Sequence, residues 1–269
     1  MTAPTFSEED DRKIDERGAL GADLVYEVIR REGAEELARP LQSLAFSGFA
    51  AGLAISVSVV AEAIIAKRLP DAEWAGLIAD FGYCFGFLIV IVGRLQLFTE
   101  HAVTAVLPVT YAPTASNFMR LFRLWSIVLA ANVVGAIIAG GFLVGSGALG
   151  DEGVAAVLDI GRHMTGDPFF VTFVKGVGAG FLIAALVWML PSAGASQIGL
   201  IVLVTWLIAA AGFAHVVAGT AEIAALVFAG EVTTWSVFSG FWLPALLGNM
   251  LGGAGLFTLL AYCQVRKEI

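Results

Sequence analysis

The segment AAAGFAHVVAGTAE (Ala209–Glu222) places a single imidazole, His215, in an apolar run shortly after a glycine. A histidine titrates near neutrality, so this ring could hold a small anion, as a cation or by donating from a ring nitrogen, and then exchange a proton with it. The neutral acid would cross apolar surroundings at a lower free-energy cost than the anion. The alternative is a histidine that bonds a backbone carbonyl between helices. Its place at an interruption of the run favours the first role.

A second apolar run contains GRLQLFTEHAV, which carries Thr99 and Arg94. The Thr99 hydroxyl could donate to the same ligand or to His215, or it could bond its own helix backbone. Arg94 could raise the local anion concentration, but pairing with Glu100 or with carbonyls freed by an interruption is favoured. Lys175 either extends to the outer surface or attracts anions in an outer vestibule, and both interpretations stay open.

Aromatic residues near the histidine are candidates for apolar constrictions above and below it: Phe87, Tyr83 and Phe213. Asn132 and Asn249, each followed by a glycine three residues later, are expected to bridge helices rather than to line a pore. The carboxyls of Glu62 and Glu222 are expected at interfaces or in loops.

No catalytic apparatus is visible in the sequence. P-loop, dinucleotide-binding, serine-nucleophile and HExxH patterns are absent, so we expect no enzyme and no cofactor. Glu100 and His101 lack a third ligand at suitable spacing, and Cys84 and Cys263 lie far apart in apolar stretches, so neither a metal site nor a disulfide is expected.

The composition is that of an integral membrane protein. Hydrophobic residues make up 58% of the 269-residue chain, charged residues only 14%, and the mean hydropathy is +0.86. The net charge of −8 belongs mainly to the exposed parts and does not indicate a partner such as nucleic acid. The acidic N-terminus lacks the pattern of a secretory signal, so we expect it to be retained and cytoplasmic.

Six stretches reach the roughly 20 apolar residues that a membrane-spanning helix needs. They are Leu44–Ala66, Ala75–Leu107, Leu121–Leu143, Phe169–Leu190, Ile198–Phe228 and Phe238–Cys263. The second and fifth are too long for one helix, and GRLQ (93–96) and AGFAH (211–215) interrupt them. Interrupted helices at matching positions in two halves are typical of a transport site.

Basic residues set the expected orientation. With six spans, ten Lys and Arg residues fall on the side that holds both termini, whereas the other side holds only Lys67, Arg68 and Arg162. Both termini are therefore predicted to be cytoplasmic, in a multi-pass inner (plasma) membrane protein.

An internal repeat relates the third and sixth spans. LWSIVLAANVVGA (124–136) aligns without gaps on FWLPALLGNMLGG (241–253), and the same alignment places His215 opposite Phe98, next to Thr99. Because each repeat has three spans, the two must enter the membrane from opposite sides. The predicted fold is all-α, with six transmembrane helices in two inverted three-helix repeats and with broken second and fifth helices.

The predicted domains are a charged cytoplasmic N-terminal region (1–43), a transport domain (44–264) and a short cytoplasmic tail (265–269). Within the first, DLVYEVIRREGAEELARPLQSLAF has apolar residues at helical spacing, which predicts an amphipathic helix on the membrane surface or against the cytoplasmic mouth. A gating role and a plain linker helix are equally compatible with it.

The motifs GRLQLFTEHAVTAVL, AGFAHVVAGTAEI and LPALLGNMLGG resemble the formate/nitrite transporter family, in particular its branch with a long charged N-terminal region. The resemblance implies an aquaporin-like protomer in a homopentamer, with one pore per protomer for small monovalent anions. On that basis His215 matches the pore histidine of the family, and Thr99 matches its threonine partner.

The chain departs from the pattern of better-known members at several positions. Ala214 replaces a glutamate before the histidine, Gly180 stands in the place of a vestibule asparagine, and Met164 stands in that of its lysine partner. Arg94, in a position that is usually small, or Lys175 could supply the missing positive charge.

The sequence therefore predicts a channel or proton-coupled transporter in the lipid bilayer for small monovalent anions, formate- or nitrite-like, or for their conjugate acids. A pore for neutral solutes and a membrane scaffold or sensor that acts through the N-terminal region are the alternatives.

Overall fold

The computed structural model describes residues 20–268, which form helices joined by turns. In chain order the helices are α1 Ala22–Ala38, α2 Leu41–Ala66, α3 Ala75–Val92, α4 Leu107–Tyr111, α5 Ala115–Gly145, α6 Gly150–His163, α7 Phe169–Ala193, α8 Gln197–Ala210, α9 Val216–Phe228 and α10 Thr234–Val265. Each of the six predicted apolar stretches contains helix.

Within residues 20–268, five helical stretches are long and apolar enough to cross a membrane, namely α2, α3, α5, α10 and the stretch from Phe169 to Ala210. The last has 42 residues and would be about 63 Å long if straight, twice the hydrocarbon thickness. The chain turns at Gly194, which has a φ of 48°, and α7 packs against α8. The shorter helix α9 is also apolar.

Both predicted interruptions are present, and they share one backbone geometry. After α3 the chain turns at Arg94 with a φ of 52°, and after α8 it turns at Gly212 with a φ of 61°. In each case the next amide reaches back into the preceding helix, from Leu95 to the Val90 carbonyl and from Phe213 to the Ile208 carbonyl, both at 2.9 Å. Each helix thus ends in a left-handed turn that satisfies its last carbonyls.

Small residues bring the long helices into close contact. A Cβ on Gly52 of α2 would overlap the carbonyl oxygen of Asn132 in α5, and a Cβ on Gly180 of α7 would overlap that of Asn249 in α10. Such close approach is how helices gain packing energy in lipid, where no hydrophobic effect drives their association. It also brings each asparagine close to an interruption.

Helix α1 confirms the predicted amphipathic helix, and Pro40 separates it from α2 as expected. Its buried side packs against α4, α5, α7 and α10, so the helix is held against the transmembrane helices. Arg123 fixes its end by donating to the carbonyls of Leu37 and Arg39, at 3.0 and 2.9 Å. The first 19 residues of the predicted N-terminal region lie outside the described part.

Candidate functional site

His215 and Thr99 meet at the centre of the protein, although they lie in different interrupted segments. Nε2 of His215 is 2.7 Å from Oγ1 of Thr99, and both side chains are buried. His215 is the N-cap residue of α9, and Thr99 follows the interruption after α3. The two interruptions are what lets these side chains approach each other.

The hydrogen bonds assign the protons of this pair. The amide of Ala218 donates to Nδ1 of His215 at 3.2 Å, so Nδ1 is an acceptor and the ring proton is on Nε2. Nε2 then donates to Thr99, whose own hydroxyl proton has no other partner among the described residues. A cationic ring, which the sequence left open, would lose the bond to Ala218 and would face the positive end of the α9 dipole. The contacts describe a neutral imidazole.

Asn132 and Asn249 tie the interruptions to the long helices. The amide of Asn132 donates to Gly48 and Gln96 carbonyls, both at 2.8 Å, and its oxygen accepts from Phe98 N at 2.9 Å. The asparagines therefore supply partners for backbone groups that the interruptions free.

Asn249 makes the same three bonds in the second half. It donates to Gly176 and Ala214 carbonyls at 2.9 and 2.8 Å and accepts from Val216 N at 2.9 Å. Matching these bonds places His215 opposite Leu97, so the predicted pairing with Phe98 is wrong by one residue. The first half has one more residue between the interruption and its asparagine, which an alignment without gaps misses.

A cavity of about 530 Å³ opens on the side of the protein where α1 lies, and we call it the N-terminal-side cavity. Its lining includes Glu32, Arg94, Glu100 and His101. The placement of Arg94 deep in the apolar region is wrong, because its side chain is 81% exposed and pairs with Glu32 at 3.4 Å rather than with Glu100. An exposed pair of this kind contributes little stability.

A second cavity, of about 460 Å³, lies at the other end of α2, and we call it the far-side cavity. Lys175 lines it, so the side chain belongs to a vestibule, but its ammonium is 2.5 Å from a carboxylate oxygen of Asp167. The ion pair offsets the positive charge that was expected to attract anions.

The three aromatic candidates lie between His215 and the far-side cavity or in the wall of that cavity. Phe87 touches the imidazole edge-on, with ring centroids 5.1 Å apart, and Tyr83 is 5.1 Å from Phe87. Tyr83 and Phe213 line the far-side cavity. None of the three lines the N-terminal-side cavity, where Ile91 and Leu95 stand instead.

Two residues that the resemblance singled out have different settings. Gly180 faces Asn249 at a helix contact with no room for a side chain, whereas Met164 lines the far-side cavity.

Glu222, expected at an interface or in a loop, lies within α9, is 3% exposed and lines the far-side cavity. Sequence reasoning missed this position because a single carboxyl in an apolar run is commonly found near its end.

The described residues contain no group of three side chains suited to a metal ion. Cys84 and Cys263 are both free thiols. Sγ of Cys84 lies 3.3 Å from the Val202 carbonyl, a contact typical of a buried thiol between helices.

Comparison with known proteins assigns the chain to a family. The formate/nitrite transporter family matches residues 23–263. The inner membrane protein YfdC of Escherichia coli (strain K12) is 41% identical over 246 residues, which are 91% of this chain and 79% of that protein. Formate channel BtFdhC of Bacillus thuringiensis is 24% identical over 252 residues, covering 91% of this chain and 95% of that protein.

Two solved structures share the fold. One, described as a pentameric formate channel with formate bound, has a TM-score of 0.69 at 18% identity and covers 88% of this chain and 99% of its own. The other, an FNT family ion channel, has a TM-score of 0.74 at 20% identity, with 91% and 98% covered. Together with its apolar helices, these relationships make the chain a multi-pass inner-membrane protein. It belongs to the formate/nitrite transporter family, whose members are channels and transporters rather than enzymes.

Proposed function

We propose that the chain is a channel or proton-coupled transporter that passes a small monovalent anion, formate- or nitrite-like, or its conjugate acid, through the His215–Thr99 pair. The observation that carries the proposal is the position of this pair between two cavities, neither of which it lines. Ionisable side chains are rare among the apolar residues of membrane-spanning helices, and where they occur they commonly mark a solute pathway.

The hydrogen bonds suggest how the pair handles its substrate. Nε2 of His215 already donates to Thr99, so the free hydroxyl proton of Thr99 can donate to an anion that enters. The anion trades part of its hydration shell for this bond. If the anion instead takes a proton from water in one of the cavities before it enters, the neutral acid passes the Phe87 ring without the cost of a bare charge.

The same proposal includes the finer architecture. Two observations support six crossings in two inverted repeats with an aquaporin-like arrangement. Asn132 and Asn249 make corresponding hydrogen bonds, and the chain makes a left-handed turn both at Arg94 and at Gly212. A homopentamer with one pore per protomer is supported by the solved channel that is described as pentameric.

The charge distribution supports cytoplasmic termini, which would make the N-terminal-side cavity the cytoplasmic vestibule. The division into an N-terminal region (1–43), a transport domain (44–264) and a tail (265–269) is part of this proposal. Membership of a branch with a long charged N-terminal region stays a prediction.

Flux measurements in proteoliposomes test the function. The purified chain is given formate, nitrite, acetate, hydrosulfide and chloride in turn under a pH gradient. We expect uptake of weak-acid anions to rise as external pH falls and His215→Ala to change that dependence. A pore for neutral solutes would pass glycerol at a rate indifferent to pH, and a protein that passes none of these solutes would contradict the proposal.

A further inference from the structure

The far-side cavity is acidic, which is unexpected at the mouth of an anion pore. Five carboxyl side chains line it against a single ammonium, that of Lys175. Lys175 is paired with Asp167, and Asp159 lies 3.8 Å from Arg162. The remaining three carboxyls, for which no cation partner is present among the described residues, belong to Glu62, Asp80 and Glu222.

Glu222 is the most enclosed of the three. Its side chain is 3% exposed, lines the cavity wall and has no hydrogen-bond partner among the described residues. Helix α6 holds its backbone in place, since a Cβ on Gly161 would lie only 2.7 Å from the carbonyl oxygen of Glu222. Its carboxyl oxygens are not among the described side-chain atoms that are buried without a partner, so they face the space of the cavity, where they can meet a ligand.

Glu222 lies on the same helix face as the central histidine, His215. It follows His215 by seven residues, two helical turns, so the two positions share one face of α9 at a distance of about 10 Å along the axis. Glu62 of α2 and Asp80 of α3 line the same cavity.

We propose that Glu222, with Glu62 and Asp80, makes the far-side cavity selective for the neutral conjugate acid of the substrate and excludes the bare anion. This inference rests on the proposed function. A carboxylate in this poorly solvated wall repels an anion but accepts a hydrogen bond from the hydroxyl of an acid. A protonated carboxyl can both donate to such an acid and accept from it, so the neutral form is favoured in either state.

A lower pH at the far-side cavity is expected to increase flux through two effects of the same sign. It raises the neutral fraction of the substrate and reduces the negative charge of the cavity, so flux increases. The titratable and charged groups that line the cavity with Glu222 are Glu62, Asp80, Tyr83, Asp159, His163 and the paired Lys175 and Asp167. His163 donates from Nδ1 to the Asp159 carbonyl at 2.8 Å, and the five carboxyls of the lining outnumber its two basic side chains, Lys175 and His163.

The test compares acetate, a weak-acid anion, with chloride, a permanent anion, in proteoliposomes of the full chain between pH 5 and 8. Glu222→Gln keeps the shape of the side chain and removes its charge. We expect it to raise the chloride-to-acetate permeability ratio about tenfold at pH 7, equivalent to about 1.4 kcal/mol of repulsion, and to flatten the pH dependence of acetate flux. Glu222→Asp and the exposed control Glu73→Gln should retain the wild-type ratio.

Gel filtration and thermal unfolding establish that each variant is folded. If Glu222→Gln does not fold, Glu62→Gln provides the same comparison and should raise the ratio in the same direction. A folded charge-removing variant with the wild-type ratio and pH profile overturns this inference alone. Faster flux of methylammonium than of acetate overturns it in favour of a cation site. A wild-type protein that passes no weak acid overturns the proposed function, and this inference with it.

Discussion

Nε2 of His215 and Oγ1 of Thr99, 2.7 Å apart, join the two interrupted segments of the chain. Neither residue is part of a continuous membrane-spanning helix, because each follows a left-handed turn, at Gly212 and at Arg94. The interruptions thus place one ring nitrogen and one hydroxyl where two unbroken helices would present only apolar side chains. The bond between them also uses the donor of the imidazole and leaves the hydroxyl as the free donor.

Replacing Thr99 with valine tests that donor. Valine keeps the shape of the side chain but leaves Nε2 of His215 without an acceptor and the substrate without a donor. A buried unsatisfied group costs about 1–3 kcal/mol, so we expect formate flux to fall at least about tenfold. Stopped-flow measurement on proteoliposomes gives the rate. Thr99→Ser keeps the hydroxyl and should stay within about threefold of wild type; equal flux in Thr99→Val and wild type would show that the hydroxyl has no role.

Replacing Asn249 with leucine tests the support of the second interruption. The substitution removes three buried hydrogen bonds and leaves the Ala214 carbonyl and the Val216 amide without partners. At about 1 kcal/mol for each bond we expect a loss of about 3 kcal/mol, measured as a lower thermal midpoint in detergent. The control is Asn117→Ala, which removes one partly buried side-chain bond to Ala112 and should cost about 1 kcal/mol or less. Similar midpoints for the two variants would be incompatible with this support.

The sequence predicted the interruptions well because length alone requires them. An apolar run that is too long for one helix must turn, and Gly93 and Gly212 mark the places. The setting of Arg94 was harder to predict, since apolar residues on both sides suggested burial. In the folded protein α3 ends at the mouth of a cavity, which lets water reach the guanidinium.

Glu222 shows why position in a run does not give position in a fold. The run continues to Phe228, which favoured an interfacial carboxyl, but α9 begins only at Val216, so Glu222 lies in its middle. Its meeting with Glu62 and Asp80 depends on how α9, α2 and α3 surround one cavity. No local pattern contains that information.

Arg94 carries backbone strain that glycine would relieve. A left-handed φ of 52° costs a residue with a Cβ about 1–2 kcal/mol, whereas the exposed pair with Glu32 returns at most about 1 kcal/mol. We expect Arg94→Gly to raise the thermal midpoint by about 2–4 °C and to leave formate flux within about twofold. The matched variants are Arg94→Lys, which keeps the strain, and Gly212→Ala, which should lower the midpoint by a similar amount. A lower midpoint for Arg94→Gly would mean that the guanidinium contributes more than the strain costs.

The docking of α1 should weaken in acid, because it depends on a carboxylate. Glu27 accepts from Arg30 at 2.7 Å and from Arg31 at 2.6 Å, and these bonds lower the pKa of Glu27 from its usual 4.5 to about 2. Arg30 is thereby held 4.7 Å from the ring centroid of Tyr111 at the end of α4. A lowered pKa stabilises the folded form fully above pH 4.5, and this stabilisation is lost as pH falls toward 2.

Hydrogen exchange of α1 amides, expressed as protection factors, measures this loss. Protection in the wild type should be constant from pH 7 to 5 and fall about two- to fivefold by pH 3, a small change because solvent still reaches part of the Glu27 carboxylate. Glu27→Gln should show the lower protection already at pH 7 and little dependence on pH. Glu35→Gln, an exposed carboxyl on the same helix, should follow the wild type. Unchanged wild-type protection between pH 5 and 3 would mean that the buried apolar side of α1 holds the helix without help from these charges.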